Sequence, residues 1–531
     1  YYSRGFLNTE VRAVTEFSSG RTQVDITFVI TEGPVYRVGR IEIEGGDFFD
    51  AGRIRKAVET REGQIYNVRK IEAGRKALLE LYQENGFINT TVINRRSFTA
   101  GDKVDISYDI SEGKRFRIGE VVIIGNDQTQ EKVFRRVLDE FDFKPGQWYN
   151  SHLARGNGKG YLEKYLRRST LMESVTITPE GDASDYRNAH ISVTEGQTGS
   201  IMLGAGVASD SGLIGQLVFE QRNFDITDYP DNFKELITGD AFKGAGQRLR
   251  IAAEPGTELS RYSIDFTEPY FMNRPVSLNV SGSSFERGRE SYDEERMKGY
   301  VGFEKRYKNR WRRRFSVRFE NVEVTDLETD APKEIRDVKG DNSIAGVKIG
   351  AGRDMTDDKF TPSDGYSINF DYEQVTGDHS YGILAGTYRV FRTLKTDIAE
   401  RKTILSARFR AASIVGDAPP FEKFYAGGSS SIRGFEYRGV SPRGLQTNVA
   451  NPKREDPIGS DWLALASTEL TVPLYGENLS GLFFVDSGVV DTGGARVSVG
   501  TGIQVMIPQW FGPVPMKFEI AAPVMKEDED E

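Results

Sequence analysis

The side chains that most often carry catalysis or hold metals are sparse in this sequence. It has no cysteine, which removes thiolate nucleophiles, disulfides, zinc fingers and iron–sulfur ligation together. Its three histidines, His152, His190 and His379, show no His-x-x-x-His spacing for a metal. No Ser/His/Asp set stands out either. The sequence therefore gives no reason to predict an enzyme, a bound metal or a cofactor.

A glycine-rich stretch over 156–160, Gly-Asn-Gly-Lys-Gly, has some features of a phosphate-binding loop. It lacks the four-residue gap before Gly-Lys and the Ser or Thr after it, and no apolar strand precedes it. We therefore predict no phosphate site, although these glycines are unusual for a segment that otherwise reads as helical.

Three segments in the first 198 residues end alike, in an alternating strand followed by Glu-Gly. Their glycines, Gly33, Gly113 and Gly196, lie 80 and 83 residues apart. A fixed period of this size indicates an array of similar modules. The predicted modules are a partial one over 1–34 and two complete ones over 35–114 and 115–198.

Each complete module is predicted to run strand, helix, helix, strand, strand. In the second module, helices over 50–59 and 67–84 follow a first strand, and the turn Ala100-Gly101-Asp102 joins the last two strands as a hairpin. This order resembles the polypeptide-transport-associated (POTRA) domain. That resemblance implies a periplasmic module that binds extended chains by adding a strand to a sheet edge. A generic α+β spacer is the alternative. Because the first module lacks its opening elements, we expect further chain before Tyr1.

From residue 199 onward, short segments alternate apolar and polar residues without helical patterning. In one of them Tyr366, Ile368, Phe370 and Tyr372 share a side. No apolar run approaches the roughly 20 residues of a membrane-spanning helix, whereas a period of two suits barrel strands with a lipid-facing exterior and a polar lumen. The predicted fold is therefore α+β periplasmic modules followed by an all-β transmembrane antiparallel barrel over 199–531. Soluble β-sandwiches are the alternative.

The barrel region contains fifteen strand segments. Because bacterial single-chain barrels close with an even number of strands, we expect a sixteenth strand beyond the supplied sequence. If the modules are periplasmic, the first strand runs outward, so the long connection 414–459 is extracellular and the insert 223–245 is periplasmic. The acidic run 526–531 is expected to be a solvated loop rather than a metal site.

A basic run over 310–314, Arg-Trp-Arg-Arg-Arg, raises the question of nucleic acid. The chain has 70 Lys and Arg against 79 Asp and Glu, a net charge of −9, so no global basic field supports such a partner. The run falls at a predicted periplasmic turn. We expect anionic lipid headgroups or lumen carboxylates as its partners.

The long connection carries the sharpest motif of the sequence. Residues 424–435 read Phe-Tyr-Ala-Gly-Gly-Ser-Ser-Ser-Ile-Arg-Gly-Phe. This resembles the loop motif of the outer-membrane assembly superfamily, an aromatic-Ala-Gly-Gly stretch followed by Val/Ile-Arg-Gly-Phe/Tyr. Its core residues are Ile432, Arg433, Gly434 and Phe435. Further matches in the expected order lie at 267–271, 360–365, 484–488 and 511–513. The resemblance covers essentially the whole chain and is greatest to the barrel-assembly branch.

An arginine on a loop folded into a barrel needs acceptors. Asp486 and Glu469 lie on the polar sides of two adjacent predicted strands, and the resemblance implies the same partners. We predict that Arg433 pairs with both inside the lumen, that Gly434 permits close backbone approach and that Phe435 packs beside it. The alternative is an exposed loop arginine, worth at most about 1 kcal/mol.

The resemblance implies that the chain folds and inserts β-barrel proteins into the bacterial outer membrane. The implied partners are unfolded outer-membrane proteins, accessory outer-membrane lipoproteins, periplasmic chaperones and outer-membrane lipid. The first strand would form a lateral gate with the last, because a free strand edge is a template for pairing. Gly204 and Gly206 weaken this strand. The gate residues are Ser200, Ile201, Met202, Leu203, Gly204, Ala205, Gly206 and Val207.

Two sibling functions and one unrelated function stay open. Two-partner secretion transporters resemble the chain but normally carry two modules and a plug helix. The translocation and assembly factor carries three modules. A passive porin would need no 198-residue periplasmic arm.

Overall fold

The structure is a computed structural model that describes residues 1–18, 20, 23–99, 101–181, 185–208, 212–238, 241–358, 361–397, 399, 401–476, 478–507, 515–528 and 530. The chain divides into two compact units, Tyr1–Gln197 and Thr198–Glu531. Within the described ranges, every helix is too short or too polar to cross a membrane. Parts of several predicted features lie outside these residues, namely Ala100, residues 239 and 240 of the insert 223–245, Phe360, the segment 511–513, and Glu529 and Glu531 of the acidic run.

The first unit is built from the repeated order that the sequence predicts. The partial module is an antiparallel hairpin of β1 (Glu10–Phe17) and β2 (Val24–Thr31). The second module comprises β3 (Arg37–Glu44), α1 (Ala51–Ala57), α2 (Val68–Gln83), β4 (Thr91–Thr99) and β5 (Lys103–Ser111). The third comprises β6 (Arg117–Ile124), α3 (Glu131–Glu140), α4 (Tyr161–Ser169), β7 (Met172–Glu180) and β8 (Tyr186–Glu195).

Both complete modules have the same sheet topology. The strand orders are β3-β5-β4 and β6-β8-β7, with the first pair parallel and the second antiparallel. The side chain of Asn67 caps α2 by accepting from the amides of Arg69 and Lys70. The apolar stripe of α2, including Leu78 and Tyr82, is buried in the core of the second module.

The glycines at 156–160 are not helical, which corrects the sequence reading. They lie in the loop before α4, and Gly156 and Gly158 have positive φ. The buried Glu163 carboxylate accepts from the amides of Gly156 (2.9 Å), Gly160 (2.7 Å) and Ile177 (2.9 Å). This side chain therefore occupies the amides that an external phosphate would need.

The second unit is built on one large antiparallel sheet in which fifteen strands are described, as predicted. Sequential strands of this sheet are neighbours throughout, and the first and last described strands lie at its two edges. The strands are β9 (Gly199–Ala208), β10 (Gly212–Phe224), β11 (Gln247–Glu254), β12 (Leu259–Glu268), β13 (Val276–Gly288), β14 (Asp293–Arg306), β15 (Trp311–Thr325), β16 (Gly340–Asp354), β17 (Gly365–Gly377), β18 (Tyr381–Thr396), β19 (Lys402–Gly416), β22 (Trp462–Tyr475), β23 (Leu479–Val490), β24 (Gly493–Val505) and β25 (Met516–Met525).

The two faces of this sheet differ in polarity. On β15, Phe315 and Phe319 are exposed, whereas Arg318 and Glu320 are buried on the opposite face. Apolar residues thus face outward and charged residues face inward, which is the pattern of a membrane barrel.

The connections of this unit are not helix-free, contrary to the sequence reading. The insert after β10 contains α5 (Phe233–Thr238), and the connection after β15 contains α6 (Lys333–Arg336). The insert folds back on its own strand, because the Asp225 amide donates to the Phe242 carbonyl and the rings of Phe224 and Phe242 stack.

The acidic run after β25 is only partly solvated, which corrects a second expectation. Asp530 is buried and pairs with Arg496 of β24, with Nε and Oδ2 2.9 Å apart. Hydrogen bonds from Arg496 to the carbonyls of Gly493 and Gly494 complete this contact.

Candidate functional site

The connection between β19 and β22 folds back as a hairpin, here called the inner loop (residues 417–461). Besides the short strands β20 (Arg443–Leu445) and β21 (Arg454–Pro457), it has a paired neck. Phe424 and Ser460 exchange two main-chain hydrogen bonds of 2.9 and 2.7 Å, and Ala426 and Val440 exchange two of 3.2 and 3.0 Å. This neck carries residues 427–439 as the tip of the loop.

The inner loop contacts strands that are far apart in the sheet. Tyr437 accepts from Arg287 of β13 at 3.1 Å, while Arg433 contacts β22, β23 and β25. A single loop can reach β13 and β25 together only if the sheet curls around it. The tip therefore lies in the lumen of a barrel-shaped sheet.

Arg433 lies at the centre of the tip and contacts both carboxylates chosen from the sequence. Its Nε and Nη2 donate to the two oxygens of Asp486 at 2.7 and 2.8 Å, and its main-chain amide adds a bond of 3.1 Å. Its Nη1 donates to Glu469 at 2.9 Å. The guanidinium also covers the ring of Phe484, 3.4 Å from the ring centroid. This is a bidentate ion pair with a cation–π contact beneath it.

A third carboxylate, which the sequence reading missed, completes the site. Glu519 of β25 accepts from Nη1 of Arg433 at 2.7 Å. Lys517, two residues earlier on the same strand, donates to Glu469 at 2.7 Å. Alternation along β25 places both side chains on the lumen face, and only the curvature of the sheet shows that this face meets the tip.

The Arg433 site is well shielded from solvent. The side chain of Asp486 is 1% exposed and that of Arg433 is 12% exposed. Ser467 donates to Asp486 at 2.6 Å, which occupies a further lone pair of the carboxylate. Because the charges of this cluster are paired and hydrogen-bonded, its burial avoids the large free-energy cost of an isolated buried ion.

The other motif residues fix the tip by packing and backbone geometry. Ile432 and Phe435 are buried in one apolar cluster with Leu465 of β22. Gly434 has φ +93°, and a Cβ at this position would lie 3.2 Å from backbone atoms of Ala521 and Ala522 of β25. On β23, Gly488 leaves the space that the Ile432 side chain fills, since a Cβ there would lie 2.5 Å from Ile432 Cδ1.

A second cluster of charged residues, which the sequence analysis did not predict, binds the root of the inner loop, that is, its first residues up to Glu422. Glu422 accepts from Arg318 of β15 at 2.6 Å, from Arg296 of β14 at 2.9 Å and from the Tyr381 hydroxyl of β18 at 2.9 Å. Burial opposes ionisation of Glu422, yet the two arginines hold its pKa below its ordinary value. The inner loop is thus tied to the wall by charge at both its root and its tip.

The residues chosen for a gate form an edge of the sheet. β9 pairs with β10 alone among the described strands. Ser200 is half-buried, residues 201–206 are all exposed, and Leu203 is 81% exposed on the outer side. The structure places Val207 in the same strand, opposite Leu213.

Comparison with known families assigns both parts of the chain. The profile of the Omp85 superfamily domain matches residues 242–531. A POTRA profile, described as surface antigen variable number repeat, matches residues 36–113 and 116–196.

Individual relatives agree with these family matches. The chain is 23% identical to outer membrane protein assembly factor BamA of Neorickettsia risticii, over 95% of this chain and 68% of the relative. It is 24% identical to the protein of the same name from Neisseria meningitidis serogroup B, over 100% of this chain and 69% of the relative. The crystal structure of BamA from Haemophilus ducreyi lacking POTRA domains 1–3 superposes with a TM-score of 0.64 at 18% identity, covering 94% of this chain and 98% of that one. The last match shows a shared fold.

Proposed function

Because the chain belongs to the Omp85 superfamily, we propose that it folds β-barrel proteins and inserts them into the bacterial outer membrane. The relatives from Neorickettsia risticii and Neisseria meningitidis are both named outer membrane protein assembly factor. The chain is an outer-membrane barrel with periplasmic POTRA modules. The observations that support the proposal are the sheet edges in the modules and the first barrel strand, β9, which contains Gly204 and Gly206 and pairs with β10 alone among the described strands.

The modules supply the first contact with a client in this proposal. β4 and β7 are outer strands of their three-stranded sheets, so each offers main-chain groups for an added strand. On β4, Ile93 and Phe98 are exposed and add apolar contacts without demanding one sequence. Unfolded outer-membrane proteins are therefore the proposed clients. Accessory outer-membrane lipoproteins and periplasmic chaperones are proposed as partners that deliver them.

The barrel edge supplies the second contact. Strand β9 would pair with an incoming client strand, since an edge strand presents unpaired main-chain groups. Gly204 and Gly206 lower its intrinsic strand stability, which favours exchange of one partner for another. Outer-membrane lipid would meet the same strand through Ile201 and Leu203.

Crosslinking during assembly tests this proposal. A photoreactive residue is placed at Leu203 of β9 and, as the matched control, at Phe319 of β15. Both face outward and are strongly exposed, but of the two strands only β9 lies at an edge of the sheet that the described strands form. Capture of a client barrel at position 203 and not at 319 supports a gate. Equal capture, or none while assembly proceeds, contradicts it and favours a sibling translocation or secretion function.

A further inference from the structure

The basic run at 310–314 is divided between the two faces of the sheet. Arg314 points into the lumen, where its Nη2 donates to Asp371 of β17 at 3.0 Å. Arg313 points outward, on the same side as the exposed Phe315. The carboxylate of Asp371 thus provides a partner for Arg314 in the lumen, whereas Arg313 on the outer face has no such partner among the residues that the structure describes.

Arg313 lies directly opposite a second cation. In the pairing of β14 with β15, its Cα partner is Lys305, which is also exposed. Like charges at directly opposed positions destabilise a sheet. In the described part of the chain, neither side chain has a carboxylate within ion-pair distance.

Both cations converge on one aromatic ring. The Nζ of Lys305 and the Cζ of Arg313 each lie 5.3 Å from the centroid of the Tyr307 ring. Tyr307 begins the tight turn that joins the two strands, where the Arg310 amide donates to its carbonyl at 2.9 Å. The turn therefore holds two positive groups close together on the outer surface.

A third outward cation adjoins them on the next strand. Arg353 of β16 is the Cα partner of Trp311. Its Nε donates to the carbonyl of Asn309 at 3.1 Å and its Nη1 to the Tyr366 hydroxyl at 3.2 Å, which fix the side chain beside the turn. Three adjacent strands thus carry an outward cation at one end of the barrel.

The position of this group along the barrel sets its level in the membrane. The turn 307–310 is at the end where β9 begins, directly after the modules, and is therefore periplasmic. Trp311 and Tyr307 beside it, with Phe303 above, form an aromatic girdle of the kind that lies at the headgroup level of a bilayer.

We propose that Lys305, Arg313 and Arg353 form a binding site for the anionic headgroup of a phospholipid in the periplasmic leaflet. The phosphate of this lipid, placed between Lys305 and Arg313, relieves their mutual repulsion. The acyl chains of the same lipid run along Phe303 and Phe315 on the outer face of the barrel. Lipopolysaccharide is a poor fit because it occupies the opposite leaflet.

Fluorescence of Trp311 tests the site directly. In the full-length protein, every tryptophan other than Trp311, including Trp148, Trp462 and Trp510, is replaced by Phe so that Trp311 is the sole reporter. The protein is folded into bilayers that contain phosphatidylglycerol or phosphatidylcholine with the same spin label on the acyl chain. We expect quenching to favour the labelled phosphatidylglycerol by at least about fivefold in apparent affinity, the worth of one cation near an anionic headgroup.

Variants identify the responsible cations. Lys305→Gln, Arg313→Gln and Arg353→Gln together should reduce this preference to about onefold, with folding checked by heat-modifiable migration. Arg392→Gln is the matched control. Arg392 is an exposed cation on β18 near the same end of the barrel, and its Cα partner on the neighbouring strand is the apolar Leu405, not a second cation. This control variant should leave the preference unchanged.

Three results would overturn the proposal. The first is equal quenching by the two lipids in the sole-Trp311 protein, which needs no cation variant. The second is a preference that survives the triple substitution, and the third is an equal loss in Arg392→Gln.

Discussion

The carboxylate of Asp486 accepts three hydrogen bonds from one residue, Arg433, one of them from its main-chain amide. The pair therefore fixes both the side chain and the backbone of the loop tip against β23. Because Asp486 is almost fully buried, the pair cannot be replaced by water without cost.

Asp486→Ala is expected to destabilise the barrel by about 3–5 kcal/mol, because it leaves the Arg433 guanidinium buried with fewer acceptors. The free energy of unfolding in denaturant measures the effect. Asp371→Ala is the control, since the Arg314–Asp371 pair is more exposed and should cost about 1 kcal/mol or less. Equal, small losses in the two variants would show that Arg433 finds adequate partners elsewhere.

Glu519→Gln tests whether the third carboxylate links the loop tip to β25. The variant keeps the shape of the side chain and removes its charge, so we expect a loss of about 1.5 kcal/mol, the worth of a hydrogen bond to a charged group. A double-mutant cycle with Arg433→Gln should show coupling. Additive effects in that cycle would mean that the 2.7 Å contact contributes no interaction energy.

Gly488→Ala tests the space that holds Ile432. A Cβ at this position would lie 2.5 Å from Ile432 Cδ1 and 2.6 Å from Leu465 Cδ2, so repacking should cost about 1–3 kcal/mol. Gly299→Ala on β14 is the matched control, because no atom lies within 4 Å of its Cβ position. Thermal unfolding measures both variants, and an unchanged midpoint in Gly488→Ala would contradict the packing of the tip.

The modules should lose stability in alkali. Burial raises the pKa of Tyr108 to about 12, and the Tyr108 hydroxyl donates to the Ile71 carbonyl at 3.0 Å. The folded state favours the neutral phenol, so its contribution is complete below the unfolded pKa of about 10 and is lost as pH rises from about 10 to 12.

Urea unfolding of residues 1–197 at pH 8 and pH 11 measures this loss. Tyr108→Phe should reduce the difference in the free energy of unfolding between pH 8 and pH 11. It should not abolish this difference, since burial also raises the pKa of Tyr82 and Tyr149. Replacing the exposed Tyr161 by Phe should have no effect on it. A pH difference unchanged in Tyr108→Phe would exclude Tyr108 as a source.

The sequence predicts local features of this fold well, because they follow from local spacing. The period of two indicates the outward and inward faces of strands such as β17, and the repeated Glu-Gly ends indicate the modules. The acceptors Asp486 and Glu469 are predictable because they lie on adjacent strands beside a loop motif.

Features that depend on curvature or on loop conformation are not visible in the sequence. Glu519 is 86 residues from Arg433 and meets it only because the sheet curls. Glu422 contacts three strands from the root of a loop whose path has no local signal. The Glu163 carboxylate accepts a hydrogen bond from the Gly160 amide of the glycine-rich loop, although Glu163 itself lies in α4, three residues after Gly160. Only the folded backbone reveals this contact.

The modules and the barrel together are proposed to accelerate the folding of other barrels. The most direct measurement reconstitutes the full-length protein in liposomes and times the folding of a urea-unfolded outer-membrane barrel. The same protein without any of the chain before Thr198 is the control. Our account predicts acceleration by the intact protein and little by the truncated one. No acceleration by intact protein that is itself folded in the liposomes would contradict it.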